Sequence, residues 1–215
     1  MYDLILFDLD GTLTNPEEGI TKSVQYALEG YGITENNIDN LRRFIGPPLV
    51  DGFMGFYGMN REDALGALAR YRERFSEVGL YENELLEGCE KLLKDLKEKG
   101  KKLALATSKP HIYAKKILEH FDLIKYFDIL VGAEFDGTRN DKADVIKEVL
   151  KQAGEYNNPV MVGDRMHDII GAKKNNIPCI GVTFGFAVEG ELEENGAIKI
   201  ADSMENLFDI LVNHV

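Results

Sequence analysis

Residues 7–14, FDLDGTLT, decide how this chain folds. They continue the apolar run LILF of residues 4–7 and bring two aspartates, Asp8 and Asp10, to its end. Side chains alternate along a strand, so both carboxylates would lie on the same side where a buried strand ends. Two like charges that close cost free energy unless a cation or a shared proton relieves them. The stretch therefore predicts a functional site at the end of the first strand.

Four further apolar runs predict the rest of a sheet. They are almost continuously apolar and rich in Val, Ile and Leu, as expected of parallel strands covered on both faces. Helical patterns separate them, at residues 90–99 and at Lys142–Ala153, so the chain alternates strand and helix. This alternation predicts an α/β fold with a doubly wound parallel sheet. The four runs are KLALAT (102–107), FDILVG (127–132), PVMVGD (159–164) and PCIGVT (178–183).

The first strand is separated from the others by a long helical interval. No strand signal is present between residue 14 and about residue 102. Within the interval, residues 62–78 show an apolar stripe at helical spacing. We therefore predict a core domain built from residues 1–14 and 84–215, and an inserted helical cap domain over residues 15–83. The predicted stripe consists of Leu65, Leu68, Tyr71 or Arg72, Phe75 and Val78.

Polar residues follow each predicted strand of the core. Because the carboxyl ends of parallel strands meet at one edge of a sheet, these side chains would face each other there. Four acidic groups, two hydroxyls and one or two lysines would meet at this edge. They are Asp8, Asp10 and Gly11 after the first strand, Thr107, Ser108 and Lys109 after the second, Lys142 at the start of the next helix, and Asp164 and Asp168 after the fourth strand.

The chemistry that needs this set is phosphoryl transfer. Mg²⁺ prefers oxygen ligands and keeps several waters, so a few carboxylates are enough to bind it. Asp8, Asp164 and the backbone carbonyl of Asp10 can supply ligands, and Asp168 can hold a coordinated water or orient a ligand. The cation would also relieve the repulsion between the two aspartates of the opening stretch.

The remaining polar groups suit a phosphate. Thr107, Ser108 and the backbone N–H groups after Asp8, near Gly11, can donate to phosphate oxygens, and a lysine can offset their charge. Lys142 is the first candidate for that lysine, and Lys109 is its rival. Carboxylates form covalent aspartyl-phosphates, so Asp8 would be the nucleophile. Asp10 would act as general acid and then as general base.

Four segments in order resemble the motifs of the haloacid dehalogenase superfamily of phosphohydrolases. They are FDLDGTLT, ALATSKP, Lys142 within DKADVI, and MVGDRMHD. The insertion after the first motif is similar to the first cap class of that superfamily. The segment IGPPL (45–49) and the stretch GVTFGFAVEGELEENGA (181–197) resemble its phosphoglycolate-phosphatase-like branch.

The resemblance implies roles for single residues. Asp8 corresponds to the nucleophile, Asp10 to the acid/base, Thr107 to the hydroxyl of the second motif, Lys142 to the lysine of the third, and Asp164 and Asp168 to the acidic pair of the fourth. It also implies Mg²⁺ as cofactor and a cap that closes over the site and selects the leaving group. By analogy, the cap candidates for substrate contact are Arg42, Arg43, Gly46 and Pro47.

The predicted function is hydrolysis of a small phosphorylated metabolite, with phosphoglycolate as the substrate of the similar branch. A nucleotide phosphatase or a pyrophosphatase on the same core is the alternative. A sugar-phosphate mutase is disfavoured because residues 15–23, NPEEGITKS, contain no histidine. A dehalogenase would need neither Asp10 nor Asp164, and a non-catalytic binding protein would be expected to have lost Asp8, Asp10 or Lys142.

Charge and composition disfavour several partners. The formal net charge is −12, from 37 acidic and 25 basic residues, which suits neither nucleic acid nor an anionic membrane. No apolar run approaches the roughly 20 residues that span a bilayer, and the basic start of a signal peptide is missing. Cys89 and Cys179 are isolated, which favours a reducing cytoplasm. The sequence does not indicate the oligomeric state.

Overall fold

A computed structural model describes residues 1–136, 138–139 and 141–213 of the chain. These residues form two compact units. One consists of residues 1–14 and 85–215, and the other of residues 15–84. No helix among the described residues is both long enough and apolar enough to cross a bilayer.

The first unit contains a six-stranded sheet in which every paired strand is parallel to its neighbour. The strand order is β5-β4-β1-β6-β7-β8, so the first strand lies in the middle. The predicted doubly wound α/β fold is therefore confirmed. The strands are β1 (Leu4–Phe7), β4 (Lys102–Pro110), β5 (Ile129–Ala133), β6 (Pro159–Gly163), β7 (Cys179–Val182) and β8 (Lys199–Ala201), while β2 (Thr14–Asn15) and β3 (Glu84–Leu85) pair in a separate two-stranded sheet.

The central strand explains why its sequence is continuously apolar. All residues of β1 are 0% exposed, because β4 and β6 flank its two edges and helices cover the sheet. Leu6, for example, pairs with Ala104 on one side and with Met161 on the other. Burying one such side chain contributes about 1.5–3 kcal/mol. Asp8, directly after β1, is therefore held by a rigid part of the core.

The helices of the first unit alternate with its strands. Both helices predicted for this unit are present: α4 is shifted by one residue from the predicted bounds, and α6 has the predicted bounds. The helix α6 begins after Asp141, whose side chain accepts a hydrogen bond from the backbone N–H of Ala143. The helices are α4 (Cys89–Glu98), α5 (His111–His120), α6 (Lys142–Ala153), α7 (Met166–Lys174), α8 (Glu191–Asn195) and α9 (Met204–Asn213).

The structure differs from the strand predictions at β4 and by three short strands that were not predicted. The strand β4 continues beyond residue 107 to Pro110, and its register with β5 shifts between Ala106 and Pro110. Proline is tolerated there because it lies at the last position of the strand and beyond an irregularity. The short strands β2 and β3 lie in the interval where no strand was expected, and β8 was not predicted since only three residues, KIA, form it.

The second unit is helical. Its elements are α1 (Glu17–Glu29), a 3₁₀ helix (Ile38–Phe44), α2 (Leu49–Tyr57), α3 (Arg61–Arg74) and a π turn (Phe75–Gly79). Phe44 is buried and contacts the rings of Phe53 and Phe56 at centroid distances of 5.1 and 5.3 Å. This aromatic cluster joins the 3₁₀ helix to α2.

The apolar stripe predicted for residues 62–78 is wrong in part. Tyr71 and Phe75 are buried as expected, but Leu65 and Val78 are 48% and 49% exposed. The buried face of α3 instead carries Ala64 and Ala67, whose small side chains suit close packing against α1 and α2. Val78 lies in the π turn that follows α3, outside the regular helix that the stripe assumed.

This correction predicts different effects for two members of the same predicted stripe. We expect Phe75→Ala to lower the free energy of unfolding by about 3–5 kcal/mol, because a fully buried ring is lost. We expect Leu65→Ala to change it by less than about 0.5 kcal/mol, as for most exposed positions. Urea unfolding followed by circular dichroism measures both effects. Equal losses of unfolding free energy in the two variants would support the predicted stripe and contradict the correction.

Candidate active site

Lys142 lies at the centre of the polar groups that follow the strands. Its Nζ is 2.8 Å from Asp8 Oδ1 and 2.8 Å from Asp168 Oδ1. It also donates a 3.0 Å hydrogen bond to the carbonyl oxygen of Ala106, at the end of the apolar part of β4. The Lys142 side chain is only 3% exposed. One buried ammonium group therefore connects β1, β4, α6 and α7.

Three carboxylates surround a common point next to this lysine. Asp8, Asp164 and Asp168 each offer one oxygen, and these oxygens all lie within 4.8 Å of one another. Asp164 Oδ2 accepts the backbone N–H of Phe186 at 2.8 Å, and Asp168 Oδ2 accepts the backbone N–H of Arg165 at 3.1 Å. Asp164 Oδ1 is buried and has no hydrogen-bond partner among the described residues.

This arrangement fits a divalent cation. A buried carboxylate oxygen without a partner costs free energy, and a cation at the common point would satisfy it. Oxygen-only donor sets with carboxylates are those that Mg²⁺ and Ca²⁺ select. Asp8, Asp164 and Asp168 are therefore the residues that could hold a metal ion.

The pKa shifts of the clustered carboxylates are those expected where negative charge exceeds positive charge. The pKa of Asp164 is raised well above its usual value by burial, and further by the charges of Asp168 and Asp8. Burial and the charge of Asp8 raise the pKa of Asp168 to about 6, although Lys142 opposes this shift. The pKa of Lys142 is raised because Asp168 and Asp8 outweigh the effect of its burial. Asp8 and Asp168 thus share one lysine, and Asp164 has no ion pair with it among the described contacts.

Asp10 lies apart from this group, although only one residue separates it from Asp8. Its Oδ2 forms an ion pair with Lys109 Nζ at 2.5 Å. Burial raises the pKa of Asp10, and the charge of Lys109 lowers it to a smaller extent. The Asp10 side chain is therefore not one of the three clustered carboxylates. The predicted contribution of its backbone carbonyl to a metal site stays a prediction.

Gly11 is required where the chain turns after the aspartates. Its φ is +78°, a conformation that favours glycine. A Cβ atom there would lie 2.0 Å from Asp164 Oδ2. Gly185, in the loop after β7, is equally constrained, since its Cβ would lie 2.3 Å from the carbonyl oxygen of Gly11. The first motif, Asp164 and residues 183–190 are therefore in tight contact.

The hydroxyl groups predicted to bind phosphate lie at the end of β4. Thr107 is buried, and its Oγ1 accepts the backbone N–H of Lys109 at 3.2 Å. Ser108 is half-buried. Both directly precede Lys109 in the sequence, so hydroxyl and ammonium groups occupy the same end of β4.

The cap candidates for substrate contact belong to the second unit. Arg42 forms a bidentate ion pair with Glu17, with Nε–Oε1 and Nη2–Oε2 distances of 2.6 and 2.9 Å. The guanidinium of Arg43 lies 4.3 Å above the ring of Phe56. Gly46 is exposed and has a φ of +102°, and Pro47 is half-buried. Both arginines thus have partners within their own unit.

Sequence reasoning missed two contributors to the site. The backbone N–H of Phe186 was not expected to contact Asp164, and no residue pattern identifies a single N–H donor. The sequence predicts Lys109 only as the rival of Lys142 for contact with phosphate, and it does not predict the ion pair of Lys109 with Asp10. The ion pair with Asp10 depends on β4 running on to Pro110, which the apolar pattern does not indicate.

A family model and curated relatives match this chain. The model described as haloacid dehalogenase-like hydrolase matches residues 5–182. A protein of Pseudomonas aeruginosa named 5'-nucleotidase is 44% identical over 214 residues, which cover 99% of this chain and 97% of that protein. The tyrosine-protein kinase PtkA of Mycobacterium tuberculosis is 38% identical over 184 residues, which cover 85% of this chain but 62% of PtkA.

A solved structure is similar to this chain along almost its whole length. The crystal structure of a predicted phosphatase from Clostridium acetobutylicum superimposes with a TM-score of 0.94 and 44% sequence identity, covering 99% of both chains. The chain therefore belongs to the haloacid dehalogenase-like hydrolase family. The family predicted from the four sequence motifs is confirmed.

The cluster predicts that substitution of Asp164 weakens metal binding but raises stability in the absence of metal. We expect Asp164→Asn to weaken Mg²⁺ binding by at least about 10-fold, because this carboxylate is one of the three whose oxygens lie within 4.8 Å of one another. A carboxyl whose pKa is raised by folding stabilises the protein at low pH and loses that contribution as pH rises. At pH 8 without metal, the variant should therefore have a higher Tm than the wild type.

Asp10→Asn is the matched control for Asp164→Asn. Its side chain pairs with Lys109 outside the cluster, so Mg²⁺ affinity should stay within about threefold of the wild type, well below the losses typical of groups that support a metal ligand. Isothermal titration calorimetry and thermal unfolding in EDTA measure the two effects. Equal losses of Mg²⁺ affinity in both variants would contradict the assignment of the cluster.

Proposed function

We propose that this protein is a Mg²⁺-dependent phosphomonoester hydrolase that acts on small soluble metabolites through an aspartyl-phosphate on Asp8. The observation that carries the proposal is the contact of buried Lys142 with both Asp8 and Asp168, beside Asp164. A carboxylate nucleophile next to a fixed ammonium group and a candidate cation site suits attack on an anionic phosphoryl group.

The chain's carboxylates would divide the work of holding Mg²⁺. Asp164 Oδ1 has no hydrogen-bond partner among the described residues, whereas Asp168 Oδ1 lies 2.8 Å from Lys142 Nζ and Asp168 Oδ2 accepts the backbone N–H of Arg165. We therefore expect Asp8, Asp164 and the Asp10 carbonyl to bind the ion directly, and Asp168 to act through a coordinated water. When bound, the ion would neutralise charge on the phosphoryl oxygens.

Asp8 would attack the phosphorus atom of the substrate. Lys142 would hold one Asp8 oxygen and leave the other for attack. The hydroxyl groups of Thr107 and Ser108 and the backbone N–H of Gly11 would donate to the phosphoryl oxygens. The bond from phosphorus to the leaving oxygen breaks as the bond to Asp8 forms.

Asp10 would carry the proton. It would give a proton to the leaving alcohol and then accept one from the attacking water, which restores free Asp8 and releases phosphate. Burial raises the pKa of Asp10, which favours the protonated form that the first step needs. Lys109, 2.5 Å away, would stabilise the carboxylate that remains after the alcohol has left.

Nucleoside monophosphates are the substrate class that we propose first. The support is the name 5'-nucleotidase of the Pseudomonas aeruginosa protein, which is matched over 97% of its length. Phosphoglycolate and pyrophosphate remain alternatives on the same core. We do not propose tyrosine kinase activity, because this chain spans 62% of PtkA and over a third of that protein lies outside the match.

A phosphatase screen tests this proposal. We expect release of phosphate from p-nitrophenyl phosphate that depends on Mg²⁺ and stops in EDTA. In a panel of nucleoside monophosphates, phosphoglycolate, sugar phosphates and pyrophosphate, we expect the highest kcat/KM for a nucleoside monophosphate. A folded protein without Mg²⁺-dependent turnover on any of these compounds would refute the enzyme assignment.

Substitution of the two neighbouring aspartates should separate their roles. We expect Asp8→Asn to abolish turnover and the covalent phosphoenzyme detected by mass spectrometry, because no nucleophile remains. We expect Asp10→Asn to lower kcat by about 10²- to 10⁴-fold, the usual contribution of acid–base catalysis, while p-nitrophenyl phosphate still phosphorylates Asp8. Wild-type turnover in either variant would show that its role is assigned wrongly.

A further inference from the structure

Glu191 is a buried carboxylate that the proposed mechanism does not use. It opens α8 and is 7% exposed. Its Oε1 accepts hydrogen bonds from Arg165 Nε at 2.9 Å and from the backbone N–H of Met166 at 2.7 Å. Its Oε2 accepts the backbone N–H of Val188 at 3.1 Å. Burial raises the pKa of Glu191, but the hydrogen bonds from these donors together lower it by more, so the pKa of Glu191 lies below its usual value.

These bonds connect two segments that both touch the cation site. Arg165 and Met166 directly follow Asp164, and Val188 lies two residues after Phe186. The backbone N–H of Phe186 is the donor to Asp164 Oδ2 at 2.8 Å. Glu191 therefore closes a ring of contacts that runs from Asp164 through residues 186–188 and back to the residue after Asp164.

The fit within this ring is tight. A Cβ atom on Gly185 would lie 2.4 Å from Asp164 Oδ2, so the loop backbone lies directly against the carboxylate. A loop so close to Asp164 fixes which of its oxygens is bonded and which is free. The position of this loop depends in turn on its attachment to Glu191 at Val188.

We propose that Glu191 is a positioning residue that orients Asp164 and thereby sets the affinity for the divalent cation. The inference deepens the proposed function and rests on it, because the ligand is the cation of that site. Glu191 acts through the loop of residues 183–190 and through the backbone after Asp164, and it touches neither metal nor substrate. Groups that support a metal ligand in this way typically change metal affinity by about 10- to 100-fold.

The variant Glu191→Gln tests the proposal at nearly constant side-chain size. Its single carbonyl oxygen can accept on one side only, so its NH₂ group would face either Val188 N–H or the donors of Arg165 and Met166. We expect Mn²⁺ affinity, measured by electron paramagnetic resonance, to fall by about 10-fold. Glu193→Gln is the matched control, since Glu193 lies on the same helix and is exposed, and it should bind Mn²⁺ as the wild type does.

A second variant and a kinetic readout separate positioning from folding. Glu191→Asp keeps the charge and both acceptors but is one methylene too short to reach both sides, and we again expect weaker Mn²⁺ binding. In both variants, the Mg²⁺ concentration for half-maximal activity should rise by a similar factor, while kcat at saturating Mg²⁺ stays within about twofold. A lower Tm with unchanged Mn²⁺ affinity in either folded variant would overturn the inference.

The same measurement distinguishes this inference from the proposed function. If the wild type itself binds no Mn²⁺ or Mg²⁺, the metal site and the proposed function fail together. If the wild type binds the ion and both Glu191 variants bind it equally well, only the role of Glu191 is refuted.

Discussion

The structure depends on one buried ammonium group, that of Lys142. Taking a lysine and its carboxylate partners out of water costs several kcal/mol per ion, which attraction and hydrogen bonds have to offset. Lys142 Nζ forms ion pairs with Asp8 and Asp168 at 2.8 Å and donates a hydrogen bond to the carbonyl oxygen of Ala106. Because the three partners come from β1, α7 and β4, their spacing is fixed only when the sheet and its helices are complete. The charge network and the fold are therefore formed together.

The two aspartates of the opening stretch pair with different lysines. Asp8 pairs with Lys142 and Asp10 with Lys109, so the two carboxylates do not share one environment. This separation offers a physical basis for two chemical roles within three residues, since each group has its own neighbours and its own degree of solvation. A third carboxylate, Asp164, has a hydrogen-bond donor on one oxygen and none on the other.

The sequence was informative wherever a residue pattern repeats or follows a strand. Continuous apolar runs located the five longer strands, and the polar residues after them include the cluster of Asp8, Asp164 and Asp168. It was less informative where one contact decides the outcome. The buried face of α3 is set by small alanines that no hydropathy pattern emphasises, and the roles of Lys109 and Phe186 follow from the paths of β4 and of the loop after β7. Such contacts join residues that are distant in sequence, so only the folded chain brings them together.

The central place of β1 has a consequence for how the chain folds. The strand ends at Phe7, but its two neighbours begin only at Lys102 and Pro159. During synthesis its four apolar residues therefore have no strand to pair with until over a hundred residues have been made, and the second edge stays open for about fifty more. Contacts so distant in sequence slow folding and leave an apolar strand exposed meanwhile. The segment of residues 15–84 lies between β1 and β4 in the sequence, so it is made before either neighbour of β1. The strand that precedes the candidate nucleophile is thus the first of the described strands to be synthesised, but both of its edges can be paired only once residues 159–163 have been made.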